Sequence, residues 1–510
     1  MPPREIALGI GPLVVLIIYL VAMIGIGWLG KVRSREKSMA DFYLGGSTFG
    51  VFVLFLTLFA TQYSGNTLLG FAGRSYQQGA TYIVSVMFMT LAITVIVVYG
   101  PRLYKLARLH GYITPSDFIY HRYNSHALRV VCTLLFCWGL ANYILEQLVA
   151  MGHAVEGLSG GRIPFMAGVV LLVFVMLIYE SLGGMRSVAW TDVVQGLLLC
   201  SGCACILYVL LTAQGGLPGA AEVIREQAPQ KLQTPDAPGL RGWISTLILL
   251  SFGVAVYPHA IQRVFAARNL RVLRVSLAGM AFMPLATTLL AFLLGYLALS
   301  RFQGLTSLES DRVTLYMLAE AMETNAFMYW VVVLVLVAIV AAIMSTSDSA
   351  LLTIQSMVIK DLYAPFRGGA INERHMLRVG KVFGWVLMAV LVTQAWVSLK
   401  TESSIWLLIS LKLEFMVQIA PVLILGLYWP RLPATAALTG VLAGTAFTLV
   451  LWVGVIAGLW DSGWRSPWGV SAGVWGLGIN LACCAIGGLL APASATQSLQ
   501  AQQPAKAAEG

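Results

Sequence analysis

The stretch AAIMSTSDSALL, residues 341–352, sets Ser345, Thr346, Ser347, Asp348 and Ser349 in succession behind the apolar run MYWVVVLVLVAIV. Wound as a helix at about 100° per residue, Ala342, Ser345, Thr346 and Ser349 share one face, Asp348 lies beside them and Ser347 points elsewhere. Hydroxyls alone would be unremarkable, since in such helices they bond back to the carbonyl four residues earlier and help helices pack. A carboxylate is different. An ionised side chain at the bilayer centre costs about 2.5–3.5 kcal/mol even on the insertion scale, so it faces a cavity, a partner or a cation. Hydroxyl, carboxylate and carbonyl oxygens are the hard ligands of an alkali cation, so the stretch predicts a cation site, with Na⁺ as the ion. Asp192, in SLGGMRSVAWTDVVQG (181–196), is a second carboxylate at a compatible depth. By itself it would read as a helix-start residue favoured by the helix dipole.

The elements that hold these residues are membrane spans. The chain is 58% hydrophobic and 11% charged, about half the charged fraction of soluble globular domains. Windows of about 20 apolar residues recur along its length. They predict an all-α integral membrane protein with thirteen spans, near 8–30, 48–75, 79–100, 128–157, 163–181, 190–213, 242–263, 275–300, 326–357, 380–398, 402–428, 435–458 and 470–491. The first span lacks a small-residue cleavage site and is expected to be a retained helix. Orientation follows from the basic residues. With the N-terminus outside, twenty-one Lys and Arg, among them Lys31, Arg35, Arg102, Arg108, Arg263, Arg268, Lys360, Arg378 and Lys506, fall on the cytoplasmic side, against nine outside. That bias predicts N-out and C-in, and it spreads the net charge of +10 over short loops, with no basic face for nucleic acid.

The seven cysteines all fall in predicted spans; CSGCAC (200–205) suits tight helix packing better than metal binding. Of six histidines only His153 and His259 lie in or beside spans, so paired intramembrane haem ligands are not expected. No Walker sequence occurs, so energy is expected from an ion gradient.

Two spans are interrupted. The second, VFVLFLTLFATQYSGNTLLGFAG, carries Gln62, Ser64, Gly65 and Asn66 at mid-span, and the seventh, STLILLSFGVAVYPHAIQRVF, carries Gly253, Pro258 and His259. Backbone that leaves helical geometry at membrane depth lines a cavity or is buried in protein, because lipid cannot satisfy its hydrogen bonds. The breaks lie five spans apart, and an odd offset inserts the two five-helix units with opposite orientation. Paired broken helices opening inverted units point to a secondary transporter with its site near the midplane.

At this point the chain resembles a known family. FYLGG (42–46), GGMRSVAWTDVVQ (183–195), YPHAIQRVFAAR (257–268), AAIMSTSDSALL and LYWPRL (427–432) look like signatures of the solute:sodium symporters, and the resemblance runs over nearly the whole chain. It implies a LeuT-type core of two inverted five-helix repeats and Na⁺-coupled solute uptake by alternating access. It also implies a principal Na⁺ site of the carbonyls of Ala60 and Tyr63 with Ala342, Ser345 and Thr346. A second site would match Asp192, Ser345, Asp348 and Ser349. Some relatives carry serine where this chain has Asp348, which leaves the Na⁺ stoichiometry open and proton coupling as an alternative.

In the repeat geometry the solute sits between the broken helices, which makes Gln62, Ser64, Asn66, Gln147, Tyr257 and His259 candidate contacts, with ordinary interhelical bonding as the competing role. Lys412 and Glu414 both sit inside span eleven, but residues two apart on a helix do not face each other. Lys412 therefore needs another counter-ion: Glu146, or the carboxylate of an anionic or zwitterionic solute such as a monocarboxylate or an amino acid. The expected organisation is an extra helix and loop (1–47), a first repeat (48–213), an external loop covering the outer vestibule (214–241), a second repeat (242–428), two further helices (429–491) and a disordered tail (492–510). The expectation is thus a plasma-membrane transporter and no enzyme, with Na⁺ as coupling ion, no other cofactor, and a small organic solute and the lipid bilayer as partners. The alternative is a sensor that keeps the fold and binds solute without obligatory uptake.

Overall fold

The computed structural model describes residues 11–33, 38–212, 216–367, 372–400 and 405–491. Arg4, Arg35, Lys37, Lys506 and the tail 492–510 lie outside them. Among the described residues, eleven helices are long and apolar enough to cross a membrane. Two of these hold two predicted spans each. Phe165–Thr212 is 48 residues long, about twice what a bilayer needs, and it folds back at Gly184, whose φ of 54° suits glycine. Either side of that turn meets the first helix, Gly11–Arg33, at one level: a Cβ on Gly27 would touch Tyr179, and the Gly27 carbonyl accepts from Ser187 Oγ (2.8 Å). Gly65–His110 likewise joins the end of span two to span three through Gly79 (φ 68°). With these two divided, all thirteen predicted crossings are present as helices.

Both predicted breaks are there. Span two runs as Val51–Gln62, leaves helical geometry at Tyr63 and Ser64, and resumes as Gly65–Leu68 and Gly70–Gln78. Ser64 caps the restart, accepting from the Asn66 amide at 3.2 Å. Span seven runs as Ala237–Ala255, opens at Val256 and Tyr257, and resumes as Pro258–Ala266, with proline at the first helical turn where its missing N–H costs nothing. Span nine, Ala326–Met357, is buried along nearly its whole length and packs against spans two, four, five and six. Where the two broken helices begin and end, a backbone bridge joins them: Phe49 N–H donates to Ala266 O (3.3 Å) and Arg268 N–H to Phe49 O (3.0 Å).

Within the expected external loop, Gly216–Gln227 is a helix with Ala220 and Ile224 buried, since its apolar residues recur at helical spacing despite the glycines around them. One expectation needs correction. Arg263, which its place at a span end puts among the cytoplasmic basic residues, is fully buried on the resumed helix of span seven. Its charge is balanced inside the protein, so it reports nothing about topology.

Candidate functional site

The helix ending at Gln62 leaves the carbonyls of Ala60 and Thr61 without intrahelical partners. The Thr346 hydroxyl points at both, 3.4 Å from Ala60 O and 3.5 Å from Thr61 O. Thr346 and Ala60 are thus brought together as predicted. Thr61 joins them although nothing in its sequence context marks it, and Tyr63 sits at the break itself in extended geometry. Ala342 and Ser345 are buried on the same stretch of span nine.

The second predicted cluster is also assembled, with three further members. Ser345 Oγ donates to Asp192 Oδ1 (2.5 Å), while Asp192 Oδ2 accepts from Thr57 Oγ1 and from Arg263 Nη2 (3.3 Å). Arg263 also donates from Nε to Thr57 Oγ1 (3.2 Å), from Nη1 to the His259 carbonyl (3.1 Å) and from Nη2 to Ser349 Oγ. Asp348 accepts from Tyr179 OH (2.6 Å) and Ser349 Oγ (3.2 Å). Asp192, Asp348 and Arg263 are fully buried. A guanidinium spreads its donors over three directions, so one Arg263 binds span two, span six, span nine and its own helix together. Thr57 and Tyr179 are indistinguishable in sequence from ordinary packing residues. Arg263 is hidden by its position, because a basic residue at a span end usually marks a loop.

The predicted solute contacts divide. Gln62, Ser64, Asn66, Tyr257 and Lys412 line one cavity between the two breaks, together with Tyr143. Its volume is about 30 Å³, room for one or two waters, so a solute requires these side chains to part. Gln147 and His259 do not line it. Both are buried in the packing around it, His259 with its ring stacked 5.6 Å from that of Tyr143.

Lys412 Nζ donates to Glu146 Oε2 at 2.8 Å, and Asn66 Nδ2 donates to the same oxygen. The ammonium also sits 3.7 Å from the Tyr143 ring centroid, within cation–π range. Glu414 is separate: it accepts from the Trp452 indole (2.5 Å) and lines a larger cavity of about 590 Å³. Pro235, Gly239 and Trp243 border that larger space, which shares Leu250 with the small cavity.

Outside the membrane-spanning helices, burial pushes the Asp311 carboxyl up to about 7, against which, among the described residues, the Ile405 amide donates (2.9 Å).

Comparison with known proteins agrees with this geometry. A model of the Sodium:solute symporter family matches residues 42–444. The sodium/pantothenate symporter of Escherichia coli (strain K12) is 27% identical over 443 residues, covering 86% of this chain and 89% of that protein. The high-affinity proline transporter PutP of Bacillus subtilis (strain 168) is 25% identical over 441 residues, covering 84% and 89%. A solved structure of a Na⁺-coupled sialic acid symporter, substrate-bound and outward-open, superposes with a TM-score of 0.76 at 19% identity, over 95% of this chain and 98% of that one. That likeness carries the LeuT-type fold. These relatives are transporters, not enzymes, and with most of its length matched the chain belongs to the sodium:solute symporter family.

Proposed function

We propose that this chain carries a small carboxylate-bearing organic solute, a monocarboxylate or an amino acid, across the plasma membrane together with Na⁺ by alternating access. The N-terminus lies outside and the C-terminus in the cytoplasm, a reading supported by the surplus of basic residues on one set of loops. Residues 48–213 and 242–428 form the two inverted repeats that rock against each other.

One observation carries the coupling. The unwound stretch of span two supplies both sites: the Ala60 and Thr61 carbonyls face Thr346, and Gln62, Ser64 and Asn66, the next polar residues, line the solute cavity. Na⁺ bound by the carbonyls and by Ser345 and Thr346 fixes that stretch in one conformation. The solute then meets side chains already held in place. By linkage, the factor by which Na⁺ raises solute affinity is the factor by which solute raises Na⁺ affinity. The buried cluster of Asp192, Asp348, Ser345 and Ser349 shares Ser345 with that site, extends along span nine to Ser349 and offers the second cation position, with Arg263 as part of its charge balance.

The test is thermal stabilisation of the purified protein by a panel of carboxylates and amino acids, with and without Na⁺, in wild type and in Ser345→Ala plus Thr346→Ala. A ligand that binds only the folded protein stabilises it by mass action. We expect Na⁺ to enlarge the shift from one solute class, and the double variant to lose that enlargement. A solute shift that is the same in Na⁺ and in its absence overturns the assignment.

A further inference from the structure

We propose that the solute is a zwitterion with at least one N–H on its nitrogen, an amino acid, and that Glu146 receives its ammonium while Lys412 receives its carboxylate. This rests on the reading that the solute enters the cavity between the broken helices.

The argument is one of charge. Glu146 and Lys412 are buried and bonded to each other at 2.8 Å; Lys412 lines a cavity too small for any solute, and Glu146 stands behind that lining, bonded also to the lining residue Asn66. A solute can enter only if the pair parts. A carboxylate without an amine would take Lys412 and leave Glu146 ionised and unpaired; an amine without a carboxylate would do the reverse. Leaving one buried charge uncompensated costs more than most single contacts return. A zwitterion inserted between the two replaces each lost partner with a new one. The existing ion pair thus stands where the two ends of the solute will stand.

The unused hydrogen-bonding atoms agree. Among the described residues, Glu146 Oε1 and Asn66 Oδ1 are buried acceptors without a partner, and Gln62 Nε2 is a buried donor without one. Two acceptors beside Glu146 fit N–H groups, and the donor fits a carboxylate oxygen. A quaternary ammonium has no N–H and would leave both acceptors unpaired. The faces of Tyr143 and Tyr257, with ring centroids 5.2 Å apart, already carry the Lys412 ammonium and hold it at the cavity, while Phe71, Met89 and Leu413 bound the cavity with apolar surface for the rest of the solute.

Matched probes test this: leucine, alanine and proline, each with its deaminated carboxylate, its decarboxylated amine and its quaternary N-methylated form. Thermal shift at saturating Na⁺ ranks binding, and Na⁺-driven uptake into proteoliposomes confirms transport. We expect stabilisation by amino acids alone. Glu146→Gln should weaken the favoured amino acid by about tenfold to a hundredfold, the usual range for a hydrogen bond to a charged group. It should also narrow the preference over the deaminated carboxylate, because Gln needs no counter-charge. The paired variant Glu146→Leu plus Lys412→Met keeps the site neutral; we expect it to fold, with Na⁺ alone still stabilising it, and to bind no amino acid. The proposal fails if wild type accepts the deaminated carboxylate or the quaternary form as well as the amino acid, if no zwitterion stabilises it, or if the paired variant binds amino acids like wild type. Binding that keeps the zwitterion ranking without Na⁺ dependence would instead sink the coupling assignment and leave this one standing.

Discussion

Around Asp192, each carboxylate oxygen has a donor, Arg263 uses Nε, Nη1 and Nη2, and Asp348 is held by Tyr179 and Ser349. Around Glu146, the ion pair to Lys412 leaves Glu146 Oε1, Asn66 Oδ1 and Gln62 Nε2 without partners among the described residues. Both clusters are buried in one bundle, and both consist of a carboxylate with a cation from a distant helix. Buried polar groups are nearly always paired, and the exceptions concentrate where a ligand completes them. The Arg263 cluster therefore already ties its helices together before any cation enters it. The Glu146 cluster keeps unused polar atoms, the ones we propose a solute engages.

Replacing Arg263 is the hardest test of that contrast. Arg263→Ala should lower stability by about 3–5 kcal/mol, because Asp192 is left as a buried charge, and Arg263→Lys should restore only part, since one ammonium cannot serve Thr57, Asp192, Ser349 and the His259 carbonyl. Unfolding in detergent measures both; a near-neutral Arg263→Ala would erase the distinction. Lys412→Met also strands a buried carboxylate, Glu146, and should cost stability too, so what sets it apart is its effect on binding. We expect roughly a hundredfold weaker solute binding with the Na⁺-dependent thermal shift retained.

Asp311 supplies a reference outside the membrane-spanning helices, a buried carboxyl with one neutral donor. Its pKa, raised to about 7 in the fold against 3.8 as its ordinary value, means the folded state holds the proton more tightly than the unfolded chain. Stability from this group is therefore greatest below pH ~4, falls as pH rises toward ~7, and is constant above. Between pH ~5.5 and ~7.5 the loss should be about 2 kcal/mol, and Asp311→Asn should flatten that slope while leaving solute selectivity alone. The smallest effect expected is from Thr346→Ala, which removes one neutral ligand: the Na⁺ concentration for half-maximal uptake should rise about tenfold with solute affinity at saturating Na⁺ unchanged. A fall in solute affinity that excess Na⁺ cannot restore would mean that Thr346 serves the solute cavity directly.

Much of this architecture is legible in the residues themselves. Hydropathy locates the thirteen crossings because lipid forbids polar residues outside a few positions, and for the same reason Gln62, Ser64, Asn66 and Pro258 mark the breaks and Asp348 the cation cluster. Partnership over long separations is not legible. Lys412 and Glu146 lie 266 residues apart, and periodicity within each helix leaves Gln147 as good a candidate as its neighbour Glu146. Arg263 misleads for a related reason: a charge at a span end has two homes, the aqueous loop or the protein interior, and only the position of Asp192 on another helix decides between them. The helix Gly216–Gln227 escapes a local reading because Gly216, Pro218 and Gly219 in its own first turn weigh against helix in any local count.

The bridge of Phe49 to Ala266 and Arg268 ties the start of one broken helix to the end of the other through main-chain atoms alone. Any motion that parts the repeats at that end exposes two backbone hydrogen bonds, at about 0.5–1.5 kcal/mol each. Side-chain substitutions there leave this contribution almost untouched. The resting bias of the transporter toward one face thus contains a fixed part, independent of which solute or ion it carries, and only the remainder is open to tuning by residue type.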